Sequence, residues 1–64
     1  MSNHDTVAQV EIGTAMYNRF VQHVKNNQSI SYYESTGMSN KCKYRILDAK
    51  EGFPGHVNFF LKRI

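Results

Sequence analysis

The sequence has little of what recognisable catalytic and metal sites are made from. It contains a single cysteine, Cys42, so no intramolecular disulfide can form and a disulfide-stapled secreted scaffold is excluded. Three histidines are present, but none of these residues shows the paired C-x-x-C or H-x-x-x-H spacing of a metal site. We therefore predict no metal, no other cofactor and no catalytic residue.

Long apolar runs are also absent. No stretch approaches the roughly 18 apolar residues of a membrane span, and the polar residues 1–5 do not begin a signal peptide. We expect a cytoplasmic protein with no membrane partner. A chain of 64 residues allows one domain, residues 1–64. Because such a chain buries only about 60% of its unfolded surface, a partner or a second copy could supply missing burial.

The positive charge is concentrated in the last part of the chain. Residues 41–64 hold six of the eight Lys/Arg residues and two Asp/Glu residues, a net charge of +4, whereas residues 1–40 sum to −1. A basic half favours an acidic partner, of which nucleic acid is the commonest kind. The alternative is that these charges serve only solubility.

Residues 5–27 have helical periodicity. Val10, Tyr17, Val21 and Val24 fall on one side, with Ile12, Met16 and Phe20 beside them. Asn26-Asn27 is the expected stop. We favour one long N-terminal helix. Gly13 argues against it, because glycine inside a helix costs roughly 1 kcal/mol. The alternative is a short strand over residues 6–12 followed by a helix from residue 14.

After residue 28 the pattern alternates with period two. It predicts strands over residues 29–35, 41–48 and 56–63, joined by a turn over 36–40 and a loop over 50–55. If Ile46 pairs with Val57 and Tyr44 pairs with Phe59, the apolar side chains of the last two strands lie on one face of the sheet. The predicted fold is therefore α+β, with one N-terminal helix packed on a three-stranded antiparallel β-meander. The predicted core is Val10, Tyr17, Phe20, Val24, Ile30, Tyr44, Ile46, Val57, Phe59 and Leu61.

The other face of this sheet mixes cations with aromatic rings, a composition typical of single-stranded nucleic-acid binders. In the predicted register Lys43 lies across from Phe60, Arg45 across from Asn58, and Lys41 across from Lys62. Our first hypothesis is a small regulatory protein that binds nucleic acid here. The predicted interface consists of Tyr33, Lys43, Arg45, Phe60 and Lys62. The alternative is an ordinary solvated face, since exposed cross-strand pairs also stabilise a sheet.

A second hypothesis is a small inhibitor or accessory subunit, of the kind that phages and plasmids encode, that docks on a larger protein. Phe53 in the Gly52–Gly55 loop and Met38 in the first turn are the candidate contacts, and a sheet edge is a further one. The last strand in particular leaves an edge through which the chain could form a homodimer. A small RNase built on His56 with Lys43 and Arg45 is the only enzyme considered, and we predict that His56 is an ordinary surface histidine.

Overall fold

The computed structural model describes residues 4–33 and 40–64, which form one helix and four strands. The α+β class predicted from the sequence is confirmed. No helix in these two ranges is long and apolar enough to cross a bilayer. In chain order the elements are β1 (Thr6–Glu11), α1 (Ala15–Lys25), β2 (Ile30–Tyr33), β3 (Lys41–Glu51) and β4 (His56–Arg63).

The N-terminal segment is a strand followed by a helix. Gly13 has a φ of +90°, in the left-handed region that favours glycine, so a right-handed helix cannot run through it. Thr14 caps the helix instead: its hydroxyl accepts from the Tyr17 N–H at 3.2 Å and donates to the Glu11 carbonyl at 2.7 Å. The prediction of one long helix is therefore wrong, and the strand-then-helix alternative agrees within one residue. The helix ends at Lys25 with Asn26 as its C-cap, in agreement with the predicted stop, and Asn27 follows with a φ of 54°.

All four strands form one antiparallel sheet in the order β1-β4-β3-β2. The predicted meander of β2, β3 and β4 is present, but β1 adds a fourth strand beside β4. The prediction of a three-stranded sheet is corrected accordingly. The expectation that the last strand has an open edge is also wrong, since β1 pairs with it from Thr6↔Leu61 to Glu11↔His56.

Helix α1 covers one face of this sheet and forms the core with it. Phe20 is fully buried, with its ring centroid 4.7 Å from that of Phe59 and 5.8 Å from that of Tyr32. Val24 is the exception in the predicted core, since 48% of it is exposed. Ala8, which the long-helix prediction left out, is fully buried. The buried residues are Ala8, Val10, Phe20, Ile30, Tyr44, Phe59 and Leu61.

The register between β3 and β4 differs from the predicted one by four positions. Ile46 pairs with Leu61 rather than with Val57, and a bulge at Leu47 shifts the pairing so that Asp48 faces Phe60. The strands continue further toward the hairpin than predicted, with Glu51↔Val57 as the last pair. Because four is an even number, the residues before the bulge stay on their predicted faces.

Candidate nucleic-acid interface

Three cationic side chains follow one another along β3 on the face of the sheet that α1 does not cover, which we call the open face. Lys41, Lys43 and Arg45 are exposed and alternate with Cys42 and Tyr44, which face the helix. Alternate residues of an antiparallel strand are roughly 6.8 Å apart. That spacing is close to the distance between successive phosphates of an extended single strand. We call Lys41, Lys43 and Arg45 the cation ladder.

A fourth cation lies beside the ladder on β4. Lys62 is exposed and is the direct partner of Arg45 in the sheet. Asp5 lies at the same end of β4, where its carboxylate accepts from the backbone N–H of Arg63 at 2.7 Å. Like charges directly opposite each other destabilise a sheet. The pairing of Arg45 with Lys62 sets two positive charges side by side on the open face.

Tyr33 places an aromatic ring at the start of the ladder. It pairs with Lys41 across β2 and β3, and the Lys41 ammonium lies 5.4 Å from the centre of its ring. A cation at this distance is attracted by the face of the ring. The backbone carbonyl of Tyr33 also accepts from the Tyr44 hydroxyl at 3.3 Å, which ties β2 to β3. The structure therefore brings Tyr33 together with the ladder.

Phe60, the other predicted ring, lies elsewhere on the open face. It pairs with Asp48, seven positions along β3 from Lys41, a separation of about 20 Å. Its half-buried ring meets the edge of His4 at 5.0 Å, and the Lys50 ammonium lies 5.8 Å from its centre. The predicted pairing of Phe60 with Lys43 is thus wrong. Tyr33 and Phe60 do not form one stacking platform.

A groove of about 580 Å³ opens next to Arg45, between the end of α1 and β3. Its polar lining comes from the helix end and the segment that follows it, namely His23, Asn27, Gln28 and Ser29. The His23 ring is fixed there by a 2.8 Å hydrogen bond between Nδ1 and the Ser29 carbonyl. Sequence reasoning missed these residues because nothing in the sequence places a helix end beside Arg45.

The residues considered for catalysis are not brought together. His56 lies at the hairpin end of β4, with Nδ1 3.3 Å from the Pro54 carbonyl. Arg45 pairs with Lys62, six positions further along β4 from His56. Among residues 4–33 and 40–64, no three His, Cys, Asp or Glu side chains lie close enough together to hold a metal ion.

The hairpin between β3 and β4 presents the candidate protein contact. Phe53 is 65% exposed, and its ring touches only the edge of His56 among the described aromatic rings, at 6.3 Å. A hydrogen bond of 2.8 Å from the Ile12 N–H to the Gly55 carbonyl brings a second apolar side chain to this loop, and Ile12 is 45% exposed. Met38, the other predicted contact, lies outside the described residues.

Comparison of the chain with protein-family models, with curated proteins and with solved structures found no match.

Proposed function

We propose that this protein is a non-catalytic regulatory protein of the cytoplasm that binds single-stranded nucleic acid along the cation ladder. The observation that carries the proposal is the row of cations formed by Lys41, Lys43 and Arg45. Lys62 lies beside Arg45 at one end of the row, and the ring of Tyr33 lies beside Lys41 at the other. Lysine and arginine neutralise phosphates and release counterions, which supplies most of the sequence-independent affinity. A ring at the end of the row adds stacking.

The shape of the site favours a single strand over a duplex. A straight row of cations along one β-strand follows one phosphate backbone, and the described part of the open face carries no helix that could enter a major groove. Stacking on Tyr33 also requires an unpaired base. The groove beside Arg45 offers imidazole, amide and hydroxyl groups to the edge of a further base. Cation spacing, ring and groove thus fit the same ligand.

The first test measures the salt dependence of binding to a labelled oligonucleotide by fluorescence anisotropy. For three to four phosphate contacts on a single strand, the log–log slope is expected to lie between about −2 and −3. Lys43→Ala should reduce the slope by about 0.7. Lys25→Ala is the matched control, because Lys25 is an exposed cation in the last turn of α1, on the other layer of the molecule. It should leave the slope unchanged.

The second test separates the two rings. Tyr33→Ala should weaken binding about tenfold without changing the salt slope, because stacking is worth about 1–3 kcal/mol per base and releases no counterion. Phe60→Ala should have a much smaller effect, because Phe60 lies away from the ladder and its ring is already contacted by His4 and Lys50. Equal losses for the two variants would contradict the assignment of Tyr33.

The proposal as a whole fails if neither RNA nor DNA binds more tightly than about 100 μM at about 150 mM salt, which is the weak end of nonspecific affinity. A small inhibitor or accessory subunit that docks on a larger protein is then the candidate function. The exposure of Phe53 beside Ile12 favours it, because exposed apolar side chains at a loop tip are typical anchors. A protein complex that is lost with Phe53→Ala and kept with Lys43→Ala would establish it.

A further inference from the structure

Strand β3 is much longer than the strand that covers its outer side. It spans Lys41–Glu51, whereas β2 pairs only with Lys41–Tyr44. Residues 45–51 therefore have β4 on one side and no described strand on the other. We call this segment the open edge of β3. Five of these residues, 47–51, lie symmetrically about Ala49, and a strand pair of that length is ordinary, since strands in globular proteins are mostly five to six residues long.

An apolar surface lies beside the open edge, on the side of the sheet that α1 covers. A groove of about 300 Å³ separates the second half of α1 from β3 and β4, and apolar side chains form nearly all of it. Val21 and Val24 line it from the helix, and Ala49 and Val57 line it from the sheet. Val24 remains 48% exposed although it is on the same side of the helix as the buried Phe20. This part of the core lacks a neighbour within the described chain.

The charges on the open edge are arranged for a strand of the same sequence. Asp48 and Lys50 both lie on the open face, because their partners on β4 are Phe60 and Asn58. If two open edges run antiparallel about Ala49, each Asp48 lies directly opposite Lys50 of the second copy. The pairing then contains two opposite-charge pairs related by symmetry. Each such pair stabilises a sheet, whereas other partners would have to supply these charges independently.

We propose that two copies of this chain form a symmetric dimer by pairing the open edges of β3 about Ala49. The arrangement requires one local change. In the single chain, the Asp48 carboxylate accepts from the Ala49 N–H. In the dimer, that N–H bonds to the second copy and Asp48 turns to Lys50 of that copy. The small side chain of Ala49 at the axis leaves room for the two copies of Val24 to approach each other.

The symmetry of the dimer places the two helices on the same side of the combined sheet. Antiparallel pairing of two identical strands creates a two-fold axis perpendicular to the sheet, so both helices lie on one side and both open faces on the other. The exposed valines of α1 are then covered on the helix side. The two cation ladders lie on the other side, separated by the Asp48 and Lys50 side chains at the axis. The dimer itself does not depend on the proposed function.

The first test is sedimentation equilibrium of the full chain at concentrations up to about 500 μM, which detects dissociation constants in the micromolar range and above. We expect a monomer–dimer equilibrium. Val24→Lys should raise the dissociation constant at least about tenfold, because it introduces a charge where the two helices meet. Ile12→Lys is the matched control, since Ile12 is 45% exposed and directly follows β1, which β4 separates from β3. It should leave the equilibrium unchanged.

The second test is a charge exchange. Asp48→Lys and Lys50→Asp should each raise the dissociation constant about tenfold or more, because each sets like charges opposite one another twice. The double variant restores both opposite-charge pairs and should return within about threefold of the wild type. Circular dichroism and thermal melting check that every variant is folded.

Three outcomes overturn the proposal: a wild-type monomer throughout this concentration range, equal weakening by Val24→Lys and Ile12→Lys, or a double exchange that fails to restore the dimer. Oligonucleotide binding measured on the same variants keeps the two proposals separate. Val24→Lys leaves the residues of the ladder in place, so it should weaken the dimer and still bind nucleic acid. A wild-type chain that binds nucleic acid but stays monomeric throughout this concentration range overturns the dimer alone.

Discussion

The two faces of the sheet use the same strands for different purposes, and two adjacent phenylalanines show the contrast. Phe59 faces α1, is 2% exposed and lies against the rings of Phe20 and Tyr17, at 4.7 and 6.4 Å. Phe60 faces outward, is half-buried and contacts His4 and the ammonium of Lys50. The covered face thus buries aromatic rings in a shared core, whereas the open face leaves its ring partly exposed, with Val7 as its direct partner on β1.

This difference separates stability from binding. A small domain has a stability of only a few kcal/mol, so most of it must come from the few residues buried under the helix. The open face contributes less and is therefore free to collect like charges, as Arg45 and Lys62 do. Substitutions on the two faces should consequently have different effects on stability and on binding.

The largest expected effect is on the covered face. Phe59→Ala removes a ring from the centre of the core and should cost about 3–5 kcal/mol, enough to unfold a chain of this size. Phe60→Ala, the matched change on the open face, should leave a folded protein with a clearly smaller loss. Urea unfolding followed by circular dichroism compares them. Similar losses of stability for the two variants would show that the faces are not divided as described.

Because Phe59→Ala is expected to unfold the chain, a milder variant keeps the comparison measurable. Phe59→Leu retains most of the volume and should cost about 1 kcal/mol. It should also leave oligonucleotide binding intact, since Phe59 does not reach the open face. A loss of binding by folded Phe59→Leu would contradict the separation of stability from binding.

Much of this division is predictable from the sequence, because the faces depend only on the parity of positions along a strand. Cys42, Tyr44 and Ile46 alternate with cations whatever the pairing partner is. The register is different, because a hairpin loop and a bulge set it. Leu47 is an extra residue in β3, and no residue type marks a bulge there. The predicted register was therefore four positions away, although the faces before the bulge were assigned correctly.

For the candidate site, the sequence likewise predicts the face on which each residue lies but not the distances between the residues. Lys43, Arg45 and Lys62 lie on one face as predicted, because face follows from alternation. The distance between Tyr33 and Phe60 depends on register, so the sequence could not show that the two rings are separated. Likewise Val24 has the right helical position for the core but remains 48% exposed. It lines a groove beside the part of β3 that β2 does not reach, and the length of β2 cannot be inferred from the position of Val24 on the helix.

An intermediate effect is expected where β1 turns into α1, since this turn holds the helix over the covered face. Thr14→Ala removes the hydroxyl that accepts from Tyr17 N–H and donates to the Glu11 carbonyl. Loss of such an N-cap typically costs about 1 kcal/mol. Thr14→Ser keeps the hydroxyl and serves as the control. Thermal unfolding should show a lower midpoint for the alanine variant only; equal midpoints would mean that the cap does not position the helix.

The smallest expected effect is on the open face, and its sign is opposite. Arg45→Thr removes one of two cations that lie directly across the sheet, so without ligand it should stabilise the fold by about 0.3 kcal/mol, a rise of about 2 °C in the unfolding midpoint. Threonine is used because it suits a strand. Lys43→Thr is the matched control, since the partner of Lys43 on β2 is Ser31, which carries no charge. It should give no such gain.

Unfolding at high salt tests whether repulsion between Arg45 and Lys62 causes the stability gain of Arg45→Thr. At about 1 M salt the Debye length falls to about 3 Å, so the advantage of Arg45→Thr over Lys43→Thr should disappear. The same two variants should each reduce the salt slope of oligonucleotide binding by about 0.7, because each loses one phosphate contact. Arg45 would then lower the stability of the free protein while contributing to binding. If Arg45→Thr is instead less stable than Lys43→Thr at both salt concentrations, packing of the arginine stem outweighs the repulsion from Lys62, and the open face contributes to stability after all.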